Sequence, residues 1–565
     1  MMNLNASQKK AIFNTTGNVL IKASPGTGKT RTLVARASHK IDSLPRHKSI
    51  ALITYTNTGA DEISSRLEIN KNLFTGTIHS FCLEYILRPF SWIYKWERPK
   101  VISYELQELF FSENDDIKLD ENFGQNKFEE LNKIAHKIDG SLNLEVDWDH
   151  SKTLQEVAQR YYLFQETHGV IDFNEILYRS LKLVSEQKFI AESLSAKFYE
   201  ILVDEFQDTN LFQYNILKEI MHNGECSFFM VGDNKQRIFS FAGAIEDSFG
   251  NAIIDFNASE ETLTETYRST DKIVEVYKKL FLNHSVIENK SSISDLNIDI
   301  IFHETKKSNH ESIIKLFVDE LIKKHNVAPE EVAILSTSWY TAFPVSQILR
   351  KDYNVVGLGA LPHKYINNST STLLKSLSRY YIKPNIRNLS SIKRNIDIYL
   401  LDNDIIYPDK ILVLKTNKLV TKFVELNMNE NLNNGLFKIE RIFKNFSGIS
   451  DSLFGIIREL ITDDEKRYWS LSKYIQAISG VNGIFSDTIH KSKGLEFDAV
   501  ILNGVNENKI PYQKVLDRSS WTYEGLTTEG IENGRNLLYV GLSRAKKYLI
   551  ILHNWKPSIF IEVIK

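Results

Sequence analysis

Apolar residues fall in short continuous runs, and several of these runs end in glycine, serine or aspartate. Val19-Leu20-Ile21, within Gly17–Ala23, predicts a short buried strand. It leads into Ser24-Pro25-Gly26-Thr27-Gly28-Lys29-Thr30 and then Arg31–Ile41, which predicts a helix. Ile201-Leu202-Val203 predicts a second buried strand, ending in Asp204-Glu205-Phe206-Gln207-Asp208. Ser227–Val231 predicts a third, ending in Gly232-Asp233-Asn234-Lys235-Gln236. Val332–Ser336 and the apolar stretch Tyr548–His553 predict further strands. The expected fold class is α/β, with strand ends converging on one sheet edge, where ligands bind in open α/β folds.

The first of these junctions carries chemistry. A strand, a glycine loop, Lys-Thr and a helix form the phosphate-binding arrangement. Backbone N–H groups around Gly26–Lys29 can point at phosphate oxygens, and the helix adds its positive end. Ala23, Ser24, Pro25, Gly26, Thr27, Gly28, Lys29, Thr30 and Arg31 make up the expected nucleotide cradle. Lys29 would hold the β and γ phosphates, and Thr30 would offer its hydroxyl to Mg²⁺. Ala23 stands where the usual motif has its first glycine, the smallest possible departure. At the second strand end, Asp204 would hold Mg²⁺ and Glu205 would deprotonate the attacking water. At the third, Gln236 would reach toward a γ-phosphate.

Composition narrows the class without naming a reaction. At about 100–200 residues per domain, the length predicts about three to five domains. Lys and Arg total 69 and Asp and Glu 71, a formal net charge of −2, which excludes binding to nucleic acid by bulk charge. Cys82 and Cys226 are the only cysteines, too few for a disulfide framework or a four-cysteine zinc site. No run of 18 apolar residues appears and Met1–Gln8 has no signal-peptide character, so a cytoplasmic protein is expected.

The order of motifs resembles superfamily 1 DNA helicases of the UvrD/Rep type. Leu4-Asn5-Ala6-Ser7-Gln8 is similar to that family's adenine-reading motif. Ile53–Leu67, Thr77–Phe81, Asp204–Asn210, Val231–Ala244, Leu263–Ser269, Ser486–Phe497 and Glu532–Ala545 resemble its later motifs in order. The resemblance implies two RecA-like P-loop NTPase cores, each with a mainly helical inserted domain, and ATP bound between the cores. It implies that Gln8 reads adenine, Tyr267 stacks on it, Glu496 binds ribose, and Arg268 and Arg544 act as arginine fingers. On residues alone, both arginines read as ordinary ion-pair residues. Thr56, Asn57, His79, Phe239, Phe241 and His490 are implied to face single-stranded DNA. Phe239 and Phe241 flank Ser240 and would project to one side of an extended chain. Ala242, Thr266 and Asn536 depart from the family's usual arginine, asparagine and arginine.

The expected organisation is a first core over 1–86 and 196–265, a second over 266–370 and 477–565, and insertions over 87–195 and 371–476. Glu105–Glu130 holds nine acidic residues, a solvated face or a partner-docking surface. Lys364, Lys375, Arg379, Lys383, Arg387, Lys393 and Arg394, with Tyr380 and Tyr381, form a basic stretch suited to nucleic acid or to a solvated helix pair. The chain ends 20 residues after Ala545 (565 − 545), so neither a nuclease domain nor a long partner-binding tail is expected. Two function classes stand: a 3′–5′ translocase or helicase on DNA with a single-stranded tail, or a DNA-sensing ATPase that regulates a partner. In size the chain resembles the helicase-like subunit of the Gabija anti-phage system, which implies an OLD-type ATPase–TOPRIM nuclease as partner.

Overall fold

The computed structural model describes residues 4–67, 70–102, 104–117, 131, 134–142, 154–240, 243–281, 288–363, 366, 368–403, 405–462, 469–513, 515–517, 522–523 and 525–565. The chain forms two compact units, Met1–Tyr267 with Ser285–Lys290, and Arg268–His284 with Ser291–Lys565.

The first unit is built on six strands: β1 Val19–Ala23, β2 Ser49–Thr54, β3 Leu73–Thr77, β4 Phe198–Val203, β5 Ser227–Gly232 and β6 Ser259–Leu263, in the order β3-β2-β4-β5-β1-β6. Every ladder between them is parallel. Parallel strands need covering on both faces, which explains the unbroken apolar runs. Successive residues point to opposite faces, and the two cores divide the strands accordingly. Leu20, Ala51, Ile53, Ile201, Val203, Phe228 and Met230 pack into one. Val19, Ile21, Ile50, Leu52, Leu202, Phe229 and Val231 pack into the other, with Leu33, Val34 and Ala37 of the helix that follows β1.

The second unit repeats the plan. β7 Ile301–Glu304, β8 Val332–Ser336, β9 Val355–Gly357, β10 Ile484–Thr488, β11 Phe497–Asn503 and β12 Ala545–His553 run in the order β7-β12-β11-β8-β10-β9. All of these ladders are parallel too. The fold is therefore α/β with two parallel-sheet cores of the RecA-like kind.

Between β3 and β4 the described residues are mostly helical, including Tyr104–Glu113, Leu154–Thr167, Phe173–Glu186 and Lys188–Lys197. One short parallel pair, Lys100–Val101 with Val170–Ile171, interrupts them. Between β9 and β10 the regular elements among the described residues are helices: Ser369–Ile382, Ile386–Asp402, Asp409–Val424, Leu432–Ser447, Leu453–Leu460 and Leu471–Ser479. Of the acidic stretch, residues 118–130 lie outside the described residues; of the basic stretch, Lys364 does.

Candidate nucleotide and DNA site

β1 ends where the glycine loop begins, and α1 (Ala6–Phe13) and α2 (Lys29–Asp42) flank that loop. Gly26 and Gly28 have φ of 74° and 85°, the left-handed region that L side chains avoid. A Cβ on Gly28 would stand 2.7 Å from Gln8 Nε2, so the glutamine closes directly over the loop. Gln8 Nε2 donates to the Thr27 carbonyl (3.0 Å), and its Oε1 accepts from the Asn5 N–H (3.2 Å). Thr27 is fully buried and donates its hydroxyl to the Ser24 carbonyl (2.8 Å), tightening the turn. Lys29 Nζ lies 3.3 Å from the Ala23 carbonyl, folded back along the loop. Ala23 is 4% exposed in the ladder with β6, so its methyl fits where the usual glycine has none. Thr30 follows in the first turn of α2, half-buried, where helix N–H groups lack i→i−4 acceptors.

Tyr267 comes to the same loop from 240 residues away. Its N–H donates to the Gly26 carbonyl (3.0 Å), and its hydroxyl accepts from Asn5 Nδ2 (3.0 Å). Thr266, at the family's asparagine position, is buried and donates to the Pro25 carbonyl (2.9 Å). That departure therefore keeps a tether on the loop. Asn5 was visible in the sequence as part of a motif, yet its role as the link between α1 and Tyr267 needed the fold.

Asp204 and Glu205 sit at the end of β4, which β5 separates from β1. The Asp204 N–H donates to the Ile53 carbonyl (2.8 Å), so β2 and β4 end together. Asp204 is 8% exposed and accepts from the Glu205 N–H (3.0 Å). Glu205 has φ 51°, a conformation disfavoured for a side chain with a Cβ. It is held there by Gln207, whose Nε2 donates to Glu205 Oε2 (2.5 Å) and whose Oε1 accepts from the Asp233 N–H (3.0 Å). Gln236 Nε2 donates to Asp233 Oδ2 (2.8 Å) and is almost fully buried. Gln207 and Asp233 thus join the two strand ends into one network, a role that sequence reasoning missed. The signal was present: both lie inside the motifs quoted for other residues. Gly232 is small for the same reason, since a Cβ there would stand 2.3 Å from Gln207 Oε1.

Arg268, Glu496 and Arg544 belong to the second unit and meet there. Arg268 Nε pairs with Glu496 Oε2 (2.7 Å), and Arg268 Nη1 donates to the Ser543 carbonyl (3.1 Å). Arg544 is 2% exposed and donates to the carbonyls of Val540 (3.0 Å) and Leu495 (3.1 Å). Burial pushes the Glu496 carboxyl upward, but the charges of Arg268 and Lys546 and the Arg268 hydrogen bond bring it below the usual carboxylate range.

Of the residues expected to face DNA, Thr56 caps the helix Asn57–Arg66 by accepting from the Gly59 N–H (3.0 Å), and Asn57 opens that helix. Phe239 stacks on Tyr55 with ring centroids 4.9 Å apart. The Ser240 carbonyl accepts from the Gly243 N–H (3.0 Å). Phe241 and Ala242 lie outside the described residues. His79 packs edge-on against Phe173 (5.4 Å), and burial lowers its imidazole to about 4. It is neutral at physiological pH and contributes shape or a hydrogen bond, not a charge. His490 sits in the turn His490–Ser492 just past β10. No group of three or more His, Cys, Asp or Glu placed to hold a metal ion occurs among the described residues. Thr30 and Asp204 supply a hydroxyl and a carboxylate, hard oxygen donors of the kind Mg²⁺ takes beside a phosphate.

A glycine loop at the end of a parallel strand, with acids on the neighbouring strand ends and a second parallel sheet, defines a two-core P-loop nucleotide hydrolase. Comparison with known proteins sharpens the class. The UvrD/REP helicase N-terminal domain matches residues 4–257, and the UvrD-like helicase C-terminal domain matches residues 385–555. The chain belongs to the UvrD/Rep-type helicase family and is an enzyme of its ATP-dependent helicase class, a hydrolase. It is 26% identical to DNA helicase II of Rickettsia typhi, over 100% of this chain and 94% of that protein. It is 25% identical to ATP-dependent DNA helicase Rep of Buchnera aphidicola subsp. Acyrthosiphon pisum, over 100% and 96%. A probable DNA helicase II homolog of Mycoplasma pneumoniae is 24% identical, over 99% of this chain and 86% of its own. No helix among the described residues is long and apolar enough to cross a membrane.

Proposed function

We propose that the chain is an ATP-driven motor that moves 3′ to 5′ along single-stranded DNA. The observation that carries this reading is the closure of Gln8, Asn5 and Tyr267 around the Gly26–Gly28 loop. A polar side chain and an aromatic ring beside a glycine loop support the binding of adenine with an attached triphosphate. In this reading Lys29 holds the β and γ phosphates, and Thr30 and Asp204 hold Mg²⁺, which supplies charge neutralisation between them. Glu205 takes the proton of the attacking water, and Gln236 orients the γ-phosphate end. Arg268 and Arg544 neutralise transition-state charge, and Glu496 binds the ribose. Thr56, Asn57, His79, Phe239, Phe241 and His490 carry the strand. The segments 87–195 and 371–476 act as the two inserted domains.

Lys29→Ala or Glu205→Gln is expected to lower DNA-stimulated ATP hydrolysis by about 10² or more, with an unchanged circular dichroism spectrum. Wild-type turnover in either variant would show the site to be misplaced. Strand displacement on duplexes with a 3′ or a 5′ overhang tests the direction: preference for the 5′ overhang reverses the polarity.

One observation favours a second reading. The alignment with the Rickettsia protein runs over 654 positions against 565 residues here, so at least 89 (654 − 565) of that protein's residues have no counterpart. A trimmed motor suits a DNA-sensing ATPase that regulates a partner nuclease, of the OLD-type ATPase–TOPRIM kind, in anti-phage defence. Hydrolysis stimulated by DNA without displacement of either duplex would favour it.

A further inference from the structure

The helix that follows β8, Trp339–Leu349, opens with aromatic residues turned to solvent. Trp339 is 40% exposed and Tyr340 is 71% exposed, with Phe343 at 38% one turn on. They lie off the buried face of the helix. Ala342, Val345, Ser346 and Leu349 already fill the buried side of this helix, and Ser346 Oγ bonds Ser486 Oγ (2.8 Å) to fix it against β10. Large aromatic rings grouped at the surface mark a contact site more often than chance. These two are also ordered before any contact is made. Trp339 and Tyr340 stack with centroids 3.7 Å apart and an interplanar angle of 28°. The Ser338 cap holds their turn, its N–H donating to Thr341 Oγ1 (3.3 Å).

The neighbourhood selects the occupant. The Ile489 N–H donates to the Ser336 carbonyl (2.9 Å), which sets the turn His490–Ser492 against the same strand end. That turn carries the exposed Lys491. A pre-stacked aromatic pair and an exposed lysine at one carboxyl edge of a parallel sheet match a strand of bases with a phosphate backbone. The lysine meets the phosphates, and the rings take a base face, a contact that is tolerant of sequence.

Resting on the reading of the chain as a motor on single-stranded DNA, we propose that Trp339 and Tyr340 form a base-stacking platform on the second unit. The platform gives the strand a grip that does not depend on phosphate charge. It lies in the other unit from the aromatic pair Tyr55–Phe239.

The test uses the full chain and fluorescein-labelled oligo(dT), with affinity read by anisotropy. Loss of one stacked base is typically worth about 1–3 kcal/mol, so Trp339→Ala and Tyr340→Ala are each expected to weaken binding about 5- to 150-fold. Trp339→Phe and Tyr340→Phe, which keep a ring, stay within about threefold, because stacking tolerates ring type. The slope of log affinity against log salt is unchanged in all four, since no phosphate contact is removed. DNA-free ATP hydrolysis also stays at the wild-type rate. Alanine variants that bind like the wild type overturn the platform while leaving the DNA reading intact. So does Tyr340→Leu binding as tightly as the wild type, because apolar bulk would then suffice. A wild-type chain that binds no oligo(dT) removes the DNA reading and the platform together.

Discussion

Gly28 adopts φ 85° and leaves 2.7 Å between its ideal Cβ and Gln8 Nε2. Gly28→Ala therefore meets two penalties at once. The left-handed backbone costs about 1–2 kcal/mol for a residue with a Cβ. The methyl also displaces Gln8 from the Thr27 carbonyl. We expect weaker nucleotide binding, with a larger loss for ATP than for GTP as the base reader moves; equal losses for both would show that Gln8 does not read the base. His79 gives a second residue-scale expectation. Its imidazole is lowered by burial to about 4 in the folded chain, whereas an unfolded histidine titrates near about 6.5. The unfolded state thus binds the proton first as pH falls. The stability from the neutral ring is fully present above about pH 6.5 and is lost progressively as pH drops through about 4. His79→Gln should flatten the fall in urea midpoint across that window. An identical pH profile in the variant would mean that the ring is protonated in the fold.

At the scale of elements, α1 and α2 are locked by a pair that no local pattern announces. Arg36 and Glu200 are each 1% exposed, and Arg36 Nη2 meets Glu200 Oε1 at 2.7 Å. Arg36 Nη1 also donates to the Ile12 carbonyl (2.7 Å) and to Thr15, so the end of α1 hangs from this guanidinium. Removing one partner of a buried pair leaves an uncompensated charge and typically costs about 3–5 kcal/mol. Arg36→Ala should therefore lower the urea midpoint strongly and loosen Gln8 with α1. The double change Arg36→Met, Glu200→Leu should recover much of that loss; a double variant as unstable as the single one would assign the cost to packing rather than charge. This pair also shows where legibility ends. The strands around Ala23, Asp204 and Gly232 were readable because the apolar run and its polar terminus are contiguous in sequence. Arg36 and Glu200 are 164 residues apart, and Arg268 and Glu496 are 228 apart. Such pairings are set by strand order, which periodicity does not encode.

For the whole molecule, the formal charge of −2 conceals how charge is distributed along the chain. The helix pair Ser369–Ile382 and Ile386–Asp402 exposes Lys383, Arg387, Lys393 and Arg394. Exposed cations that face only water add little to stability and nothing to DNA affinity. Cations that neutralise phosphates release counterions, and each such contact adds about 0.7 to the slope of log affinity against log salt on a single strand. The two roles therefore differ in a slope rather than in a single affinity. Replacing all four residues by glutamine should reduce that slope by up to about 3 if they touch the backbone. The same variant should keep its urea midpoint, because none of the four is buried. An unchanged slope would assign the helix pair to solvent.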